Sequence, residues 1–203
     1  MKKYAVLHEP GDIVTLAGTR FVVLDVERRG SLPDSLFLLA LESVGASEFG
    51  SSNNYAESDL KKAVDKWLED MGKRGLDNAK LIPREIDLTT LDGSGCYGKL
   101  SVKAAPLTLD EAREYADIIP NAERWCWLAT GWSGPSKSDG DNALCVGSSG
   151  DWYDGICSLS YGIRPALKIP SDLLLDSADK PDLSEVPTDT LLEEIRLRVV
   201  DKA

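Results

Sequence analysis

The sequence has little positive charge relative to its negative charge. Its 203 residues include 23 Lys and Arg against 34 Asp and Glu, and the formal net charge is -11. Nucleic-acid backbones are bound through clusters of basic residues, whereas the basic residues here form only isolated pairs such as Lys61 and Lys62. The charge balance therefore argues against a nucleic-acid partner.

Long apolar runs are also missing. No stretch approaches the roughly 20 apolar residues that a helix needs to cross a bilayer, so we expect no membrane span. The first residues, MKKYAVLHEPGD, contain two lysines but lack the apolar segment of a secretion signal. We therefore expect a cytoplasmic or virion-associated protein without a signal peptide.

The chain lacks the residue spacings of a metal site. Its four cysteines form no CxxC pair, and His8 is the sole histidine, so no zinc pattern is present. Without an export signal we expect the thiols to be reduced and mostly buried rather than joined in two disulfides. We interpret His8 as an ordinary surface imidazole. The sequence predicts neither a metal nor a cofactor.

Regular elements can be predicted from local spacing. Strands are predicted for three apolar runs, residues 13–16, 20–26 and 36–41, of which the first two form a hairpin. A helix is predicted from its cap at Ser58 to Gly72 or Gly75, because apolar residues including Trp67 recur there at helical spacing. Thr108 and Glu111 fit a capping box at the start of a second helix, which is expected to end near Pro120.

Residues 121–170 contain four of the five tryptophans of the chain. Trp125 and Trp127 alternate with smaller residues, which predicts a strand with one buried face. Further strands are predicted at residues 143–146, 156–159 and 161–169, with GSSGD as a turn before the second of them. This segment is a loop-rich β unit without an obvious catalytic group.

The composition changes after Pro170, so we predict a domain over residues 1–170 and a tail over 171–203. Residues 171–188 are acidic and contain proline, as in a linker. Residues 190–200 are predicted to form a short amphipathic helix that docks on the domain or supports self-association. Its apolar side consists of Leu191, Leu192, Ile195 and Val199.

Several of these segments occur in the order seen in a known group of domains. They are Gly11-Asp12 before a hairpin, FVVLDV, LFLLAL, the helix after Ser58, WCWLATG, NALCVGSSG and YGIRPAL. In this order, residues 10–170 resemble a family of uncharacterised bacterial and bacteriophage domains. That family is similar to the C-type-lectin-like fold, which formylglycine-generating enzymes and the variable proteins of diversity-generating retroelements also use.

The resemblance implies an α+β class with a C-type-lectin-like fold: short mixed and antiparallel strands, two helices and a loop-rich ligand face. The segment from Gly147 to Tyr161 supports such a face independently, because Tyr and Trp with Ser, Gly and Asp is the composition of evolved binding loops. The predicted ligand-binding residues are Trp132, Gly147, Asp151, Trp152, Tyr153, Asp154, Ser158, Ser160 and Tyr161.

The resemblance also implies that this segment is a candidate for retroelement diversification. Relatives diversified in this way carry a restricted set of residue types, and nine positions here fit it: Gly147, Asp151, Tyr153, Asp154, Gly155, Cys157, Ser158, Ser160 and Tyr161. Trp152 does not fit. The alternative is that GSSGDWYDG is simply a turn rich in turn-forming residues.

Three classes of function remain. We expect a non-enzymatic module that binds a protein or glycan at the Gly147–Tyr161 face, such as a diversified or phage receptor-binding protein. The alternatives are a structural subunit of a phage or secretion assembly, and an oxidase of the formylglycine-generating type that uses Cys145 and Cys157. No base, nucleophile and orienting group occur together, so no enzymatic activity is expected.

Two further candidates for ligand chemistry lie in the same segment. Arg164 is interpreted as a structural hydrogen-bond donor in the closing strand, and the alternative is a receptor for an anion or carboxylate. Asp139 and Asp141 raise the question of calcium. However, the residue triplets that sugar-binding lectins use for calcium are absent, so no metal is predicted.

Overall fold

The computed structural model describes residues 2–4, 8–29, 32–137 and 139–177. Fourteen strands and two α-helices lie within these residues, so the predicted α+β class is confirmed. Neither of the two helices in this part of the chain is long and apolar enough to cross a membrane.

The larger sheet has seven strands, and all of its pairings are antiparallel. These strands are β1 (Lys2–Tyr4), β2 (Ile13–Leu16), β3 (Thr19–Arg29), β4 (Leu32–Ala40), β8 (Ala104–Ala105), β13 (Ala166–Pro170) and β14 (Leu174–Ser177). Their order across the sheet is β1-β14-β2-β3-β4-β13-β8. The predicted hairpin and third strand therefore form its centre.

The smaller sheet holds the segment with the four tryptophans. Its five strands are β5 (Ala46–Glu48), β9 (Cys126–Gly131), β10 (Asn142–Val146), β11 (Trp152–Ile156) and β12 (Ser160–Gly162). Their order is β11-β10-β9-β12-β5, and only the β12–β9 pair is parallel. A separate hairpin joins β6 (Arg84–Asp87) to β7 (Lys99–Val102).

Both predicted helices begin at the predicted caps. The first, α1 (Asp59–Lys73), starts after Ser58, whose hydroxyl accepts a hydrogen bond from the Lys61 amide at 2.9 Å. The second, α2 (Leu109–Glu114), starts after Thr108 with the complete capping box. It ends well before Pro120, because the chain turns at Tyr115, whose carbonyl accepts bonds from two later amides.

The core forms two clusters on the two faces of the larger sheet. On β3, Phe21 and Val23 pack in the cluster that includes α1, while Val22 and Leu24 pack in the cluster that includes α2. Trp67 is partly buried and packs against the first cluster, with its ring centroid 6.4 Å from that of Phe21. The central strands are therefore buried on both sides.

The second half of the chain departs from its predicted strands. All six residues of β9 are buried, where one buried face was predicted, because Trp127 packs in the first cluster and Leu128 in the second. Of the strand predicted at residues 156–159, only Ile156 lies in a strand, as the last residue of β11, and residues 157–159 form a turn in which the Leu159 amide donates to the Ile156 carbonyl. The predicted single strand at 161–169 is two strands, β12 and β13, in different sheets.

Two further features differ from the predictions. His8 is 7% exposed rather than on the surface, and its Nδ1 lies 3.3 Å from a carboxylate oxygen of Asp12. Residues 174–177, assigned to the linker, form β14 and pair with both β1 and β2, while Leu175 is fully buried. The predicted amphipathic helix at 190–200 lies outside the described residues.

Candidate ligand-binding face

The hairpin of β10 and β11 contains most of the predicted ligand-binding residues. The Gly147 amide donates to the Asp151 carbonyl at 2.8 Å, and Gly150 adopts a positive φ of 90° in the turn between them. Glycine adopts this conformation without steric cost, so the GSSGD sequence closes the hairpin as predicted. β11 pairs with β10 and with no other described strand, so it is the outer strand of the smaller sheet.

The hairpin register separates two residues, Trp152 and Tyr153, that were predicted to share one surface. Tyr153 lies opposite Cys145, and Trp152 lies opposite Val146. Residues that face each other across antiparallel strands share a face of the sheet, and consecutive residues point to opposite faces. Trp152 and Tyr153 therefore do not form one continuous binding surface.

Tyr153 belongs to a row of aromatic rings. Its ring stacks on Trp125 with centroids 4.6 Å apart and an interplanar angle of 29°. Tyr161 lies 5.6 Å from Trp125 and 4.6 Å from Trp127, again between ring centroids. Trp125 and Tyr153 are 37% and 43% exposed, whereas Trp127 is buried. We call Trp125, Tyr153 and Tyr161 the aromatic face.

Trp127 anchors this row to the core. Its ring packs edge-on against Phe49 with centroids 5.5 Å apart, and its indole Nε1 donates to the Ser47 carbonyl at 2.9 Å. A buried tryptophan whose polar group is satisfied provides a rigid support for its neighbours. The exposed rings of the aromatic face therefore rest on fixed residues.

Two glycines provide the space that these rings occupy. A Cβ at Gly155 would lie 2.8 Å from Cε2 of Tyr161 and 3.1 Å from Cη2 of Trp127. A Cβ at Gly147 would lie 3.1 Å from Cε2 of Tyr153. Both glycines are themselves buried, so Gly147 supports the aromatic face from beneath and does not present a surface of its own to a ligand.

An open cleft of about 470 Å³ adjoins the aromatic face. Trp125 and Tyr161 line it together with polar and charged groups from Glu123, Arg124 and Ser160. Partial burial raises the pKa of Tyr161 above its ordinary value, so its hydroxyl remains protonated at neutral pH and can donate a hydrogen bond. Flat rings beside hydrogen-bonding groups suit a ligand with alternating apolar and polar surfaces.

The remaining predicted residues are scattered. Asp151, Asp154, Ser158 and Ser160 are exposed, but Asp151 accepts a bond from the Ser149 hydroxyl and Asp154 one from the Asn142 side chain. Trp132 is half-buried and packs against the second core cluster, away from the aromatic face. Of the nine predicted residues, only three line the aromatic face and its cleft: Tyr153, Ser160 and Tyr161.

Sequence reasoning missed three residues of this site. Trp125 was predicted to be a strand residue, and Glu123 and Arg124 were assigned no role, yet all three line the cleft. The WCW pattern was the available signal, since its first tryptophan lies just outside β9, where it is free to reach the surface. Its stacking on Tyr153, 28 residues away in sequence, depends on the pairing of β9, β10 and β11.

The two cysteines of the alternative oxidase site lie in the core. Cys145 and Cys157 are buried and free, and burial raises the pKa of each thiol to about 12. Burial therefore disfavours the thiolate form that a metal or redox site uses. Across the described residues, no group of three or more His, Cys, Asp or Glu side chains is arranged to hold a metal ion.

In comparisons with known proteins, the chain matches no protein-family model, no curated protein and no solved structure.

Proposed function

We propose that this protein is a non-enzymatic module that recognises a protein or glycan ligand through its aromatic face. The observation that supports this proposal best is the exposure of two stacked rings, Trp125 and Tyr153, directly beside an open polar cleft. Exposed apolar surface that is contiguous rather than scattered is characteristic of binding sites.

The rigidity of the aromatic face favours binding. Its rings are held by Trp127, Gly155 and each other, so little side-chain entropy remains to be lost when a ligand binds. Aromatic anchors of this kind contribute most of the binding free energy at many interfaces. The Arg124, Glu123 and Ser160 side chains supply both donors and acceptors, and these would orient the ligand.

The proposal includes the C-type-lectin-like arrangement. Its support is the small sheet, in which the outer hairpin and the β12 segment together present the exposed residues of the ligand face. The same segment is proposed to be diversified. Five of the nine positions that fit the retroelement set are exposed: Asp151, Tyr153, Asp154, Ser158 and Ser160.

The buried members of that set restrict the diversification proposal. Gly147, Gly155 and Cys157 are enclosed, and Gly155 has no room for a side chain. Variation would therefore be confined to the exposed positions. A reverse-transcriptase gene beside a near-copy of the segment for residues 125–167, with differences at the exposed codons, is the expected genomic observation. A near-copy that varies equally at Gly155 would contradict it.

The binding proposal can be tested with neighbouring residues as a matched pair. The protein is screened against a glycan array and against a displayed library of protein loops, and affinity for the best ligand is measured by biolayer interferometry. Tyr153→Ala is expected to weaken binding by about 30-fold or more, since loss of an anchor costs ~2 kcal/mol. Trp152→Ala, one residue away and similarly exposed but on the opposite face, should leave affinity within about 3-fold.

Equal loss of affinity in both variants would show that the ligand does not bind at the aromatic face. Trp125→Ala provides a second test of the same face and should match Tyr153→Ala, because the two rings stack on each other. The array and the library distinguish the two ligand classes. The absence of any ligand in both screens would count against the recognition function.

A further inference from the structure

The buried side chain of Arg164 connects the segment after β12 to Ala40 at the end of β4 and to Pro120 after α2. It is 6% exposed and follows β12, at the crossing between the two sheets. Its Nε donates to the Ala40 carbonyl at 3.0 Å, and its Nη1 donates to the Pro120 carbonyl at 3.1 Å. These two bonds agree with the structural role predicted from the sequence.

The third nitrogen of the guanidinium has no such partner. Nη2 is buried and makes no hydrogen bond within the described part of the chain. No carboxylate among those residues forms an ion pair with Arg164. Burial lowers the pKa of Arg164 from its ordinary value, but a guanidinium keeps its charge at neutral pH. The negative charge of Glu42 opposes this lowering of the pKa without forming an ion pair with Arg164. A buried charge without an ion pair is unfavourable, so an anion at this position would be stabilised.

Two adjoining cavities lie against this side chain. The outer has a volume of about 80 Å³ and the inner about 40 Å³, and they share four lining residues: Ala112, Ile119, Val146 and Arg164. The inner cavity is otherwise apolar, with Leu39, Leu107 and Leu128 among its walls. Since a water molecule needs roughly 10–15 Å³ of such volume, both cavities can hold more than a single water.

The outer cavity provides the entrance. Trp152, Asn121 and Ala116 lie at its rim, and all three are exposed. Arg113 packs over the Trp152 ring at this rim, with its guanidinium carbon 5.3 Å from the ring centroid. This site is on the opposite face of the small sheet from Tyr153, so it is separate from the aromatic face.

We propose that the pocket formed by Arg164 and the two cavities binds a small aliphatic carboxylate. The carboxylate pairs with the guanidinium of Arg164, which lines both cavities, and a short apolar chain lies against Val146, Ile119 and Ala112. The chemistry of the pocket selects this class, because a single buried cation is enclosed by apolar walls. A neutral molecule of the same shape leaves the guanidinium unpaired, and a large ligand exceeds the cavity volume.

The probe for this site is sodium butyrate, with butyramide as its uncharged counterpart. Each is titrated into ¹⁵N-labelled protein while the amide resonances and the Arg164 Nε resonance are followed by NMR. Butyrate is expected to give saturable shifts at Arg164, Val146 and Ala112. Butyramide should bind about 10-fold or more weakly, since it cannot form the charge-assisted hydrogen bond.

A cavity-filling variant separates binding from folding. Arg164→Met removes the guanidinium but also two structural hydrogen bonds, and this variant is at risk of unfolding. Ala112→Leu leaves Arg164 in place and fills volume that both cavities share. It is expected to retain a dispersed spectrum and to lose the butyrate shifts.

A folded Ala112→Leu protein that binds butyrate as the original does would overturn the proposal. Wild-type protein that shows no saturable shift up to high millimolar butyrate would also overturn it, and the cavities would then hold water alone.

Discussion

Gly155 shows how a single residue without a side chain controls the aromatic face. It lies in β11, and the rings of Tyr161 and Trp127 occupy the space where its Cβ would be. Overpacking of a closely packed site forces neighbouring side chains or backbone to move. Gly155 is therefore needed because the two rings pack where a side chain would lie, and not because it forms a turn.

The Gly155→Ala variant is expected to lower the free energy of unfolding by about 1–3 kcal/mol, because the new methyl group meets two rings. The measurement is chemical denaturation followed by tryptophan fluorescence. Gly95→Ala is the matched control, since a Cβ there meets nothing within 4 Å and the residue is exposed. Equal destabilisation by both changes would mean that glycine flexibility, and not the aromatic packing, accounts for the effect.

The thiols provide a second prediction at the scale of single residues. Cys96 is exposed, while Cys126, Cys145 and Cys157 are buried, and burial raises the pKa of Cys126 to about 11 and of the other two to about 12. At pH 8, one thiol of the folded protein should react with Ellman's reagent, and three more should react only after denaturation. Rapid reaction of two or more thiols in the folded protein would contradict this burial.

The same shifts predict how stability depends on pH. The folded state keeps its three buried thiols protonated above their ordinary pKa of 9.0, while the unfolded state releases these protons. Stability then falls as pH rises, because the unfolded state binds fewer protons. The stabilisation is complete below about pH 9 and is lost as pH rises through the range of 9 to 12. Denaturation curves recorded across this range provide the measurement, and Cys145→Ala should reduce the slope.

Among the secondary-structure elements, α2 is held in place by a partly buried ion pair. Arg84 of β6 is 9% exposed and pairs with Glu111, and its Nη2 also donates to the Ala105 and Pro106 carbonyls at 3.0 and 3.1 Å. Glu111 in turn accepts from the Thr108 amide at 2.8 Å to complete the capping box. The carboxylate of Glu111 thus joins the start of α2 to the β6–β7 hairpin.

Glu111→Gln keeps a side chain that can cap the helix but removes the charge that pairs with Arg84. We expect a loss of about 1–3 kcal/mol, below the 3–5 typical of fully buried pairs because Glu111 is partly exposed. Thermal unfolding by circular dichroism measures the change. Asp110→Asn, in the same helical turn, alters an exposed pair and should leave the unfolding temperature unchanged. An equal shift in both variants would indicate a general helix-dipole effect instead.

At the scale of the whole molecule, the last described strand links β1 to the rest of the larger sheet. β14 lies between β1 and β2, and Leu175 is fully buried within the first core cluster. Residues just past the predicted domain boundary therefore complete the main sheet. Their removal exposes core side chains and the unpaired edges of two strands.

Two truncations distinguish the role of this strand from that of the predicted tail. A chain ending at Pro170 should lose several degrees or more of unfolding temperature, because β14 and the Leu175 contacts are lost. A chain ending at Ser177 should keep its stability and, if the predicted stripe from Leu191 to Val199 supports self-association, should show a lower oligomeric mass. Light scattering reports that mass. An unchanged mass in the Ser177 truncation would argue against assembly through the tail.

Local spacing in the sequence by itself determined the hairpin of β2 and β3 and the start of both helices. Ser58, Thr108 and Glu111 could be assigned correctly because a helix cap depends on residues within one turn of each other. The closing turn of the β10–β11 hairpin was predictable for the same reason, since Gly147 and Gly150 satisfy a local backbone requirement.

Only the tertiary structure decided which aromatic residues share a surface. Trp152 and Tyr153 are adjacent in sequence, yet the register of β11 against β10 directs them to opposite faces. Trp125 and Tyr153 are distant in sequence, yet the order of three strands brings their rings into contact. The burial of both faces of β9 and the buried Nη2 of Arg164 without a hydrogen bond likewise depend on elements that pack from elsewhere in the chain. These features arise from long-range pairing and packing, which the period of a local sequence pattern does not specify.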